Sequence, residues 1–427
     1  MDLGLFEISV FIELVIFTVI ILFVALHFIK LKVLRVMAVF VTLSYFFYSG
    51  FGIAYSYVDN RYVIKFLVFL LCMLLPFVLW GNEVKNSPNR LDAFIERSPR
   101  FLRGFSVLYL VCLFIPLVYP RFKLFDIFYS GFQGLLGFYD LHNEYGSNAI
   151  IGIVDTLALF CRPFFFINLT QLQIRKQSSS VSLCLFLLSI LFSFMRYGYL
   201  SRYQMVLYTL ALLFFLFSIK GYNFALKGKQ VALFTAVAIL SVPFLYAFTF
   251  IRVGESVESG LSYLDSMTLL IEGEVYYPIY YDHILSSPDL ASQTAIGFVL
   301  WLVFLPIPSF LWPGKPRISA DAFTYSVTGR HVTDAGYASS LPSLLGESFM
   351  FFGDSFYWVE ALIIGCVMVL IIRYLSKYRT LVFYMIYLIV FSLTLGRGGA
   401  SSYMSTIING VVSIVILNIF LKSSTRT

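Results

Sequence analysis

Apolar runs long enough to cross a hydrocarbon core of roughly 30 Å recur along most of this chain. They leave few architectures open. A lipid-exposed backbone must satisfy its own polar groups, so only helices and closed barrels span a bilayer. Barrel strands alternate apolar and polar residues, whereas these runs are continuous, so helices are expected. Charged residues make up 12% of the chain, about half the share in a soluble domain. The expected class is an all-α polytopic membrane protein, a single integral domain over 1–427.

Runs bounded by polar clusters give about eleven expected spans, near 8–29, 36–55, 62–80, 104–119, 149–170, 181–195, 203–219, 231–250, 355–372, 380–395 and 403–421. With the N-terminus outside, eighteen basic residues fall in inward loops, among them Lys30, Lys32, Arg35, Arg97, Arg100, Arg373 and Arg379. That orientation satisfies the positive-inside rule and puts the C-terminus on the inner side of a cytoplasmic membrane. The first apolar run is too long for a cleavable signal and follows Asp2 and Glu7 instead of a basic region. A further apolar run, Ile296 to Trp312, contains Pro306 and Pro308, and a full crossing there would flip the later basic clusters outward. It is expected to be a re-entrant or interfacial part of one long outer loop, 251–354.

Several function classes drop out. No basic stripe or recognition motif supports nucleic-acid binding. Cys72, Cys112, Cys161, Cys184 and Cys366 lie in apolar spans without C-x-x-C spacing, which suggests neither disulfides nor a metal site. No P-loop and no H-E-x-x-H occur. No cofactor or metal is expected.

Ionisable groups gather in the long loop. Arg252 to Asp354 holds eleven of the twenty-three acidic residues and two of the four histidines. Outward basic residues are mostly arginines, on a face that disfavours them. Arg196 and Arg202 bracket a short outer turn, Arg252 ends the eighth span, and Arg397 sits in L-G-R-G-G-A-S-S. Lys315, Arg317 and Arg330 add charge from the loop. A guanidinium fork matches phosphate oxygens in bidentate fashion, and glycines around Arg397 can present amides to an anion. The alternative is that these arginines anchor span ends to lipid headgroups. Asp155 and Arg162, seven apart, share a helix face and suit structural pairing between spans. Lys65 and Glu13 also read as structural.

For acid–base chemistry the loop offers Glu272, Glu274, Asp282 beside His283, His331 and Asp334 in G-R-H-V-T-D, and Glu347 in L-L-G-E-S-F. Glu347, His331 and Asp334 are the leading candidates. Glu347 lies where the loop re-enters the membrane, and desolvation there suits a general base. Its other reading is a helix cap or an ion-pair partner.

Many spans, a late outer loop, P-I-P-S-F-L-W-P-G-K-P from Pro306 to Pro316 and G-E-S-F-M-F-F-G from Gly346 to Gly353 together resemble the Wzy-type polymerases of O-antigen and capsule repeat units. An R-x10-G pattern noted in outer loops of that family is not matched: Leu207, Tyr263, Thr328 and Leu341 stand where glycine is wanted after Arg196, Arg252, Arg317 and Arg330. The resemblance implies a GT-C-like, metal-independent glycosyltransferase that takes undecaprenyl-diphosphate-linked oligosaccharides as donor and acceptor, with a chain-length regulator as a further partner. It also implies that the outward arginines hold diphosphate. A glycan ligase and, in another class, a lipid-linked oligosaccharide flippase are the alternatives.

Overall fold

The computed structural model describes residues 7–55, 59–82, 90–118, 149–174, 179–197, 275–287, 290, 294–307, 311–312, 320–329 and 341–423. Among these residues every regular element is helical. In chain order they are α1 (Ile8–Phe28), α2 (Lys32–Tyr45), α3 (Phe51–Tyr55), α4 (Arg61–Trp80), α5 (Arg90–Arg97), α6 (Pro99–Val118), α7 (Ala149–Ile174), α8 (Ser179–Tyr197), α9 (Tyr281–Ser286), α10 (Ala295–Phe304), α11 (Ala320–Thr328), α12 (Ser343–Phe356), α13 (Trp358–Leu375), α14 (Val382–Phe391) and α15 (Leu395–Ser423). A π-helical turn, Phe46–Gly50, joins α2 to α3.

Seven stretches among the described residues are long and apolar enough to cross a membrane: Ile8–Phe28, Lys32–Tyr55, Arg61–Trp80, Pro99–Val118, Ile150–Leu172, Trp358–Leu375 and Arg379–Ala400. All seven coincide with expected spans. The expected span at 181–195 corresponds to α8 and that at 403–421 to α15, while 203–219 and 231–250 lie outside the described residues. Within the Pro-rich apolar run the described residues form the ten-residue helix α10, which ends before Pro306. At 1.5 Å per residue it covers about 15 Å, half the hydrocarbon thickness.

Burial follows the sequence pattern. Helix α1 buries only Leu14, Thr18 and Ala25 and leaves Ile12, Ile16, Phe23 and Val24 exposed, the surface expected against lipid. Helix α2 buries Val33, Met37, Val41 and Tyr45, one stripe at i+4 spacing. Every residue of α14 is buried, so this helix, apolar all round, is the centre of the bundle. Helices α6 and α7 run antiparallel through Tyr109–Phe165 and Phe105–Phe164 ring contacts and an Asn168 to Ser106 hydrogen bond of 2.9 Å. Arg162 donates to the Tyr387 hydroxyl at 3.0 Å, tying α7 to α14.

One end of the bundle is basic. The Lys30 and Leu31 amides donate to the Gly81 carbonyl, and Arg373 donates to the Trp80 carbonyl. There too Asp92 accepts from the Thr380 amide at 3.1 Å and the Thr380 hydroxyl at 2.6 Å, pinning α5 to the start of the α14 segment. Lys32, Arg35, Arg97 and Lys377 belong to the same end by their place beside these anchors in the chain. Arg61 and Lys65 stand at the other end.

The last two expected spans form a hairpin with an unusual apex. Asn418 donates to the Tyr378 hydroxyl, Tyr384 packs its hydroxyl on Gly410, and Tyr403 donates to the Leu388 carbonyl. These pairings make α14 and α15 antiparallel, with the reversal near 392–400. Ser44 donates to the Leu393 carbonyl at 2.7 Å and accepts from the Gly396 amide at 2.9 Å. Ser44 is in the middle of Lys32–Tyr55. The apex is therefore level with the middle of the second span, deeper than the rim position that the sequence suggests for Arg397. Irregular backbone at such depth requires burial in protein and internal partners; Ser392 and Ala400 are fully buried, and Ser44 and Glu347 supply the partners.

Candidate functional site

Helix α12 descends beside that apex. Its Glu347, 1% exposed, accepts a hydrogen bond from the Ala400 amide at 2.5 Å. Gly399, just before, has φ +65° and ψ −166°, which breaks α15 and starts a new helical stretch at Ala400. The Glu347 carboxyl thus lies at a helix N-terminus, where exposed amides and the helix dipole favour an acceptor. Of the two readings that the sequence left open for Glu347, the geometry supplies the helix cap. A β-carbon on Gly399 would fall 1.5 Å from its Oε2.

Two residues before Gly399, Arg397 is half-buried and donates through Nε to the Tyr277 hydroxyl at 3.2 Å. Tyr277 opens a 3-10 turn, Tyr277–Tyr280, that continues into α9. Pro278 of this turn packs on Gly52 in α3. Five residues beyond Tyr277, Asp282 pairs with Arg61 and accepts from the Tyr62 hydroxyl at 2.6 Å. One short helical segment therefore bridges Arg397 and Arg61; its rise puts Tyr277 and Asp282 about 8–10 Å apart.

Around α9 and the lower half of α12 opens a cavity of about 870 Å³. Its walls include Arg61, Asp282, His283, Thr294, Asp354 and the aromatic Phe349, Phe351 and Phe352. The volume suits a ligand of several sugar-sized units. Asp282 and Asp354 keep 64% and 54% of their side chains exposed while paired with Arg61 and Lys65, so their oxygens remain open to a ligand's hydroxyl groups. Lys65 also lies 5.1 Å from the centre of the Tyr62 ring. His283 shares a 2.7 Å hydrogen bond with Ser326 of α11. Below the cavity, Tyr281 bonds Ser343 at 3.0 Å, and burial pushes its phenol up to about 12, so it stays neutral near pH 7.

Of the sequence-derived candidates, the structure brings Glu347 and Arg397 to one apex. Arg196 stands in the last turn of α8. Arg202, Arg252, Lys315, Arg317, Arg330, His331 and Asp334 lie outside the described residues, as do Glu272 and Glu274. Three contributors were missed or underweighted. Nothing local in S-Y-V-D-N-R singles out Arg61 from the other outward arginines. Lys65 read as structural, although it pairs with Asp354 on the cavity wall. Glu360 was overlooked, although a lone carboxylate in the apolar run W-V-E-A-L-I-I-G is itself a signal for an intramembrane site. Among the described residues no cluster of three His, Cys, Asp or Glu could hold a metal ion. No family model, curated protein or solved structure matches this chain, so the arrangement of its own side chains carries the functional reading.

Proposed function

We propose that this chain is a membrane glycosyltransferase that polymerises undecaprenyl-diphosphate-linked oligosaccharide repeat units on the outer face of a bacterial cytoplasmic membrane, yielding O-antigen or capsular polysaccharide. The observation that carries the reading is the bridging of Arg397 and Arg61 by one short helix beside an aromatic-walled cavity. The basic end of the bundle then faces the cytosol and the cavity faces outward, as the charge rule requires.

In this reading Arg397, at the apex, meets the diphosphate of the donor, the growing chain. An ionisable residue near the middle of a membrane bundle marks a functional site, and a guanidinium fork matches phosphate oxygens. The cavity takes sugar rings of the acceptor repeat, stacked on Phe352 and hydrogen-bonded to Asp282 and Asp354. The acceptor hydroxyl oxygen attacks the anomeric carbon. The bond from that carbon to the diphosphate oxygen breaks, and lipid diphosphate leaves with the electron pair. The hydroxyl proton passes to a base; His283 borders the cavity, and His331 and Asp334 are the other candidates. Guanidinium groups stabilise the leaving charge. Glu347 holds the apex in place and does not touch substrate.

Cells that make a surface polysaccharide test this. Arg397→Ala and Arg61→Ala are expected to leave lipid-linked single repeats in place of a long ladder, and persistence of long polymer in both contradicts the reading. A ligase is told apart by accumulation of long lipid-linked chains on loss of the gene. One observation favours a carrier: helices interrupted at Gly353 and Gly399 beside buried Glu347 and Glu360 resemble the broken helices that line transport sites.

A further inference from the structure

The start of α6 gathers positive charge that no described carboxylate balances. Arg100 and Arg103 are exposed, and exposed Arg97 stands three residues before Arg100, across the short turn from α5. Among the described residues no carboxylate lies within ion-pair distance of any of the three, the neighbouring Glu96 included. The first turn of α6 has no acidic residue. The turn is also fixed in place. Leu91 and Ile95 of α5 are buried, Phe94 packs on Phe101 at 5.5 Å, and Asp92 is bound to Thr380.

Along the helix from these arginines runs an open apolar stripe. Gly104, Val107, Leu108 and Val111 are exposed, at the i+3 and i+4 spacing that puts them on the Arg100 face. A β-carbon on Gly104 would meet nothing within 4 Å, so the backbone there is bare, a shallow notch just beyond Arg100. The stripe stops at the next turn, where Phe114 packs on Phe192 of α8 at 5.4 Å. From Arg100 to Val111 the helix rises about 16 Å, close to half of a roughly 30 Å hydrocarbon core.

The charge rule puts basic residues at this end of the bundle, but lysines spread over the loops satisfy it as well. It does not call for three arginines around one turn, above a stripe one leaflet deep. A guanidinium fork matches two oxygens of one phosphate group, which an ammonium does not.

We propose that this face of α6 binds one anionic phospholipid of the leaflet at the basic end, with its phosphodiester held by Arg97, Arg100 and Arg103. One acyl chain lies along Gly104, Val107 and Val111. Because α5 also holds Thr380 through Asp92, the seated lipid braces the turn before α14. The site is at the opposite end from the cavity and holds equally for a polymerase or a carrier.

The test is the thermal unfolding midpoint of the purified full chain in detergent. Three additions are compared: phosphatidylglycerol, phosphatidylcholine with the same acyl chains, and glycerol phosphate. Wild type is expected to gain about 5 °C or more from phosphatidylglycerol and less than about half of that from either of the others. The double variant Arg100→Gln, Arg103→Gln is expected to respond equally to the two lipids. Both side chains are exposed, so the fold is expected to survive the change. Equal gains from the two lipids in wild type mean an ordinary annular layer and overturn the proposal. A gain from glycerol phosphate as large as that from phosphatidylglycerol means a soluble-anion site and overturns it too, as does a double variant that keeps the wild-type preference. Should that variant not fold, Gly104→Leu decides, since it keeps every arginine and fills the notch. It is expected to lose about half or more of the phosphatidylglycerol gain, and a full gain overturns the site.

Discussion

The Glu347 carboxyl occupies the space where a side chain on Gly399 would begin: an added β-carbon there meets Oε2 at 1.5 Å. The same carboxyl accepts from the next amide, that of Ala400. A motif residue of α12 is thereby locked to the broken helix that carries Arg397. The two segments, G-E-S-F-M-F-F-G and L-G-R-G-G-A, lie about fifty residues apart in sequence and build one apex.

Gly353 and Gly399 share nearly the same backbone, φ +68° and +65°, but differ in surroundings, because a β-carbon on Gly353 meets nothing within 4 Å. Gly353→Ala is expected to cost about 1–3 kcal/mol, the penalty for a β-carbon in a backbone region that is essentially glycine-only. Gly399→Ala adds the collision with Glu347 and the loss of its cap, and is expected to cost at least about 1 kcal/mol more than Gly353→Ala. Thermal unfolding of the two variants side by side checks this. Equal losses contradict the capping geometry.

At the opposite end, Asp92 caps the turn before α14 through the Arg379 and Thr380 amides. Asp92→Ala is expected to destabilise the protein by about 1–2 kcal/mol, the usual worth of such a cap. Polymer length in cells is expected to stay near wild type at permissive temperature, because the contact is at the basic end. Loss of polymer with full stability would place function at the wrong face.

Tyr281 and Tyr357 are neutral phenols held by burial, each pushed up to about 12 from an ordinary value near 10. A group whose folded pKa is raised contributes stability below its unfolded pKa and loses it as pH rises through the folded value. Their contribution is therefore complete below about pH 10 and disappears between about pH 10 and 12. Following tyrosinate absorbance against pH, wild type is expected to show late-titrating phenols, reduced in Tyr281→Phe. An unchanged late phase contradicts the burial of Tyr281.

The spans were legible because the bilayer imposes length and apolarity on each one, and every long apolar helix described falls where a run predicted it. The charge asymmetry was legible for the same reason: Lys30, Arg373 and Arg379 gather at one end as the loop count requires. The depth of the last turn was not. A run such as 380–395 reads as a full crossing, and the Ser44 hydrogen bonds, from a residue about 350 positions away, show the depth at which it reverses. Glu347 was identifiable as a residue at the membrane re-entry, but its cap on Ala400 depends on a tertiary meeting that spacing does not encode. Arg61 and Asp282 likewise become a pair only through packing of α9 on the start of α4. His331, Asp334 and most of the candidate phosphate-binding arginines lie outside the described residues.

The central claim is that Arg397 on the broken-helix apex grips a polyprenyl diphosphate while sugars are joined beside it. Purified protein in detergent, supplied with polyprenyl-diphosphate-linked repeat units and no ion gradient, tests it most directly. Wild type is expected to yield a ladder of lipid-linked products. Arg397→Ala is expected to leave the starting repeat unchanged, and Arg397→Lys to restore little, since lysine lacks the bidentate fork. A full ladder from Arg397→Ala, or no ladder from wild type that is folded and binds the lipid, would contradict the account.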